Sequence, residues 1–150
     1  MAYREIRKEG DEVLRKKCRP VEVIDQKIIT LVEDMAETMY KAEGAGLAAP
    51  QIGILKRIVT IDVGEGLYEM INPEILEQSG EQDGPEGCLS IPGVTGDVVR
   101  PMHVKVKYTD LKGNTVIIDA EEYFARAVCH ELDHLDGILY RDKAHKMHKD

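Results

Sequence analysis

No stretch of this 150-residue chain approaches the roughly 18 consecutive apolar residues of a membrane-spanning helix, and its opening MAYREIRKEGDEVLRKK lacks the apolar centre of a secretory leader. Neither a membrane nor an exported protein is indicated, and a cytoplasmic location is expected. Cysteine is scarce. Cys18, Cys88 and Cys129 are odd in number and far apart, which argues against a disulfide framework and for thiols or thiolate ligands. Excess positive charge is also missing. With a formal net charge of −8, broad binding to nucleic acid or to an anionic membrane is not expected; the basic tail KAHKMHK, Lys143 to Lys149, reads as a solvated end. Internal repeats and low-complexity segments are absent, which removes solenoids and arrays. One domain over 1–150 is expected, long enough to bury its own core.

Within it, Ile28, Leu31, Val32, Met35 and Met39 mark one face of an amphipathic helix that starts near Asp25 and ends before Gly44. The period then changes to two. Val59, Ile61 and Val63, and later Val104, Val106 and Tyr108 between Lys105 and Lys107, predict half-buried strands. The segment Asp110 to Asn114 supplies turn residues before Val116 and Ile118 resume the alternation, so an antiparallel hairpin is expected. A last helix is expected to begin near Asp119, with Glu122 in a capping arrangement, and to stop at Gly137. Phe124, Val128, Leu132 and Leu135 line one side of it and Ala127, His130 and His134 another, leaving little for water. Helices interrupted by meandering strands, without βαβ alternation, give an α+β fold of antiparallel strands packed around a buried C-terminal helix.

That helix carries CHELDHLDG, Cys129 to Gly137. Residues four apart on a helix lie on one face about 5–6 Å apart, so His130 and His134 can aim ring nitrogens at one ion with Glu131 beside them. Proteins with H-E-x-x-H usually find a third ligand downstream, but the position of a third histidine is held here by Tyr140, and only 16 residues follow His134. His145 and His148 fall in the charged tail. The third ligand is therefore sought upstream, where Cys88 in GPEGCLSIPG sits among glycines and prolines that impose an ordered, non-helical turn. Cys18 and Cys129 read as small buried hydrophobes. Two histidines and a cysteine leave one tetrahedral position open for water, as catalytic sites do, and Glu131 is placed to take that water's proton.

A second glycine stretch, GAGLAAPQIG from Gly44 to Gly53, matches G-x-G-x-x-A, but it follows a helix, and Pro50 interrupts what comes next, so it does not read as a dinucleotide site. Together with EGCLS at Glu86 to Ser90 and HELDH at His130 to His134, it resembles the three motifs of peptide deformylases, in family order and spacing and over essentially the whole chain. The resemblance implies removal of formate from the N-formylmethionine that begins bacterial and organellar polypeptides. It implies one Fe²⁺ per chain, replaceable by Zn²⁺, Ni²⁺ or Co²⁺, on Cys88, His130 and His134. It also assigns the oxyanion to Gln51 and the backbone N–H of Leu89. The implied partner is a formylmethionyl nascent peptide. A transient ribosome contact is implied only weakly, given the short segment after Tyr140.

From residue type, Gly46, with Ala45 beside it, lets a peptide backbone approach. Tyr123, Arg126 and Ala127, one and two turns before His130, are candidates for the methionine pocket, with Tyr123 equally compatible with core packing. Glu86 and Arg100 flank the cysteine loop with opposite charges suited to bracing it. Many relatives have glutamine where this chain has Cys129. The competing readings are a zincin-like metallopeptidase, which lacks its downstream ligand here, and a non-catalytic metal- or peptide-binding relative, which has no need of Glu131 or Gln51.

Overall fold

The computed structural model describes residues 2–149. Helix α1 spans Gln26–Lys41, capped by the Asp25 side chain, which accepts from the Ile28 N–H at 3.0 Å. Strands β1 (Gly46–Ala48), β2 (Ile58–Ile61), β3 (Tyr68–Ser79), β6 (His103–Thr109) and β7 (Thr115–Glu121) form a five-stranded antiparallel sheet in the order β1-β2-β3-β6-β7. Strands β4 (Gln82–Cys88), β5 (Ile91–Arg100) and β8 (Lys146–Lys149) form a second antiparallel sheet, in the order β4-β5-β8. Helix α2 (Glu122–Leu135) and the single turn α3 (Tyr140–Lys143) complete the fold.

Helix α2 is the organising element. Phe124, Ala125, Val128, Leu132 and Leu135 pack with Val59, Ile61, Met70, Val104 and Val106 of the larger sheet. Helix α1 packs its apolar stripe, Ile28 to Met39, against Leu47, Ile52, Ile58 and Ile71. Alternate residues of β2 thus serve two different cores, and all four are buried. Half-burial was expected there; the strand is covered on both faces, and even Thr60 is fully buried, its hydroxyl directed at the Leu47 carbonyl and the Met39 sulfur.

Two further expectations need correction. The last helix starts at Glu122, not Asp119, because the Val116, Ile118, Ala120 alternation carries β7 through to Glu121. Asp119 is no cap: its carboxylate meets His103 Nε2 across the strands at 2.8 Å. The tail remains largely exposed, but it is not a free end. It forms β8 against Val94–Asp97 of β5, with His145 on Asp83 at 2.8 Å and His148 on Asp97 at 3.1 Å. Among the described residues, no helix is long and apolar enough to cross a membrane.

Candidate metal centre

The β4–β5 hairpin closes through the two-residue turn Leu89-Ser90, and Cys88 pairs with Ile91 at its mouth. The turn therefore delivers Cys88 directly over α2. Donor atoms of Cys88, His130 and His134 all lie within 4.8 Å of one another, with Cys88 Sγ 3.4 Å from His134 Nε2. Three soft or borderline donors converging from two elements, with both imidazoles buried, fit a transition-metal ion.

The surroundings orient these donors. His130 Nδ1 lies 2.8 Å from Glu86 Oε1, which leaves its Nε2 for a metal. Glu86 is itself held by Arg100 through Nε and Nη2, at 2.7 and 2.9 Å, and by Arg126 at 2.7 Å. Burial alone would raise the Glu86 carboxyl, but Arg100 and His130 outweigh it and hold the group down at about 2. Arg126 also donates to the carbonyls of Gly84 and Val98, and Arg100 reaches Asp133 at 2.7 Å, so one buried charge network ties the hairpin to α2. His130 is likewise disfavoured as a cation by burial, yet its bonds to Cys88 and Glu86 raise it to about 10.

Glu131 is 4% exposed, and its Oε1 is buried with no hydrogen-bond partner among the described residues. Burial pushes its carboxyl up to about 7, against the opposing charge of His130. Gln51, on the 3-10 turn Ala49–Ile52, is 1% exposed. Its Oε1 accepts from the Ala48 N–H at 3.0 Å, so its amide nitrogen must face the centre, 3.5 Å from Cys88 Sγ and 3.1 Å from Ser90 Oγ.

Gln51, Glu86, Cys88, His130 and Glu131 line a cleft of about 360 Å³. Ala45, Gly46, Leu89 and Ala127 also line it. Tyr123 lines it too and is 57% exposed, which excludes the core-packing alternative. A Cβ on Gly46 would fall onto the Glu131 carboxylate, so this glycine leaves the room Glu131 needs, a reason the sequence did not reveal. Also missed were Ser90 and the contacts of Glu86 with His130 and Arg126. Spacing carries no trace of a pairing across 40 or more residues.

Residues 3–150 match the family model described as polypeptide deformylase. The chain belongs to the polypeptide deformylase family. The chain is 64% identical over 143 residues to the peptide deformylase of Caldanaerobacter subterraneus subsp. tengcongensis, covering 95% of this chain and 90% of that protein. The crystal structure of Thermotoga maritima peptide deformylase superposes with a TM-score of 0.93 at 45% identity, covering 96% of this chain and 98% of that one. A Synechococcus elongatus peptide deformylase in complex with actinonin gives 0.91 at 41%, covering 94% and 78%. Deformylases are metal-dependent, in keeping with the donor cluster.

The remaining cysteines behave as small core residues. Cys18 and Cys129 are 4% and 7% exposed, and burial pushes both thiols up to about 11. A water-soluble thiol reagent is expected to modify one cysteine per native metal-free chain, Cys88, and all three in denaturant. Rapid native labelling of two or more, read by mass spectrometry, would contradict that burial.

Proposed function

We propose that the chain hydrolyses the N-formyl group of formylmethionyl polypeptides, with Cys88, His130 and His134 as metal ligands, Glu131 as the proton shuttle, and Gln51 and the Leu89 N–H as oxyanion donors. The observation that carries this reading is the convergence of the three donor atoms beside a cleft that Gln51, Cys88, Leu89, His130 and Glu131 line. A thiolate with two imidazoles suits Fe²⁺, with Zn²⁺, Ni²⁺ or Co²⁺ able to take its place. Such an ion supplies Lewis acidity and lowers the pKa of water.

The chain's own residues do the rest. Glu131 accepts a proton as water's oxygen bonds to the formyl carbon, then returns it to the methionine nitrogen as the C–N bond breaks and formate leaves. A carboxyl poised near neutrality serves both directions. Gln51 Nε2, locked by Ala48, donates to the oxygen on which charge develops. Gly46 and Ala45 offer strand-edge backbone to the peptide, while Tyr123 and Ala127 border the methionine side chain.

The test is kcat/KM for formyl-Met-Ala-Ser against acetyl-Met-Ala-Ser. An added methyl crowds the carbonyl carbon and makes it less electrophilic, so the acetyl peptide is expected to react at least about 10²-fold more slowly. Similar values, or cleavage of the Met-Ala bond, would favour a broader amidase or a peptidase. Gly46→Ala is expected to displace Glu131 and lower kcat by about 10²-fold with metal content intact. Metal analysis beside turnover checks this, and an unimpaired variant would remove that role for the glycine.

A further inference from the structure

Tyr140 occupies the sequence position at which a H-E-x-x-H-x-x-G-x-x-H protein has its third histidine, yet it faces a different task. It is 1% exposed, and its ring stacks on His130 with centroids 5.9 Å apart at 24°. Its hydroxyl makes a long hydrogen bond of 3.4 Å to the carbonyl of Val94, a cleft-lining residue of β5. Its ring edge also lies against Gly96. A Cβ there would stand 3.0 Å from Tyr140 Cε1, 2.6 Å from Met147 Sδ and 2.9 Å from Ala144 Cβ. Gly96 pairs with Met147, and Val94 with Lys149, so the strand that Tyr140 touches is the one β8 backs.

We propose that Tyr140 is a positioning residue, acting through the His130 ring on metal retention and through the Val94 carbonyl on the peptide-binding wall. Glu86 holds His130 through one ring nitrogen, and the Tyr140 ring stacked on the imidazole adds a second restraint on its orientation. The hydroxyl then sets how far the wall stands from the ring it is stacked on. The peptide half of this inference rests on the deformylase reading, while the metal half does not.

The experiment compares Tyr140→Leu and Tyr140→Phe, each loaded with Co²⁺ and challenged with a chelator while the visible spectrum is followed. KM and kcat for formyl-Met-Ala-Ser are measured in parallel. Leucine, lacking a ring, is expected to weaken Co²⁺ retention at least about 10-fold, as loss of outer-shell support does, and to change the spectrum. Phenylalanine keeps the ring and is expected to restore retention and spectrum, but to leave KM raised about threefold through loss of the hydroxyl bond, with kcat changed less. Wild-type retention in the leucine variant would overturn the link to His130, and wild-type KM in the phenylalanine variant would overturn the link to Val94. Variants that differ only in melting temperature would reduce Tyr140 to core packing. Absence of formate release by the unmodified protein would strike the deformylase reading alone, and the chelator comparison would still decide the first half.

Discussion

Glu131→Gln is expected to keep its metal while kcat falls by roughly 10²–10⁴, the range that a positioned acid–base group supplies. Glutamine fills the same volume and needs no counter-charge, so the buried side chain can remain where it is. What it loses is the ability to hold a proton between water and leaving amine. The uncommitted Oε1 and the upward push of burial are the observations that favour the proposed role of this carboxyl in proton transfer. A Glu131→Gln protein with full metal content and near wild-type turnover would sink the assignment. One with neither metal nor turnover would move Glu131 into the ligand set.

Glu86→Ala is expected to destabilise the protein by about 3–5 kcal/mol, the cost of breaking a buried ion pair from one side. Its carboxylate, 3% exposed at the side chain, is the shared anion of Arg100 and Arg126 and the partner of His130. Removing it leaves Arg126 with only backbone carbonyls and Arg100 with only Asp133. Because the native carboxyl is held well below its ordinary value, its contribution is present in full above the unfolded carboxylate range, and is lost as pH falls through that range toward about 2. Urea unfolding of metal-free wild type and variant at neutral pH measures the difference, and a loss under 1 kcal/mol would show that the network is not a stabilising hub.

The parts of the site legible in the sequence are those written locally. His130, Glu131 and His134 declare a helix face by spacing alone, and Cys88 declares itself by being the one cysteine in a glycine- and proline-rich turn. Strands β4 and β5 hid behind those same residues. Pro85 is compatible with a strand because β4 is an edge, bonded only to β5, a fact that no local pattern carries. Strand β3 is similarly masked: Asn72 takes a left-handed φ of 52° while its side chain bridges the backbone of Val21, interrupting the register at Ile71/Glu74. The tail misled for another reason. Lys146, Met147, His148 and Lys149 have the composition of a solvated end, and only Gly96, which makes room for Met147, and the acidic partners Asp83 and Asp97 turn them into a strand.

The order of elements along the chain bears on how the protein is made. Every strand of the five-stranded sheet precedes α2, whose apolar residues complete the core cluster built on that sheet. At about 5–20 residues per second, a ribosome therefore exposes Val59, Ile61, Met70, Val104 and Val106 on the order of seconds before it supplies Phe124 to Leu135. Sheet and helix must condense together after most of the chain has emerged, and the newborn sheet is the species that chaperones would meet.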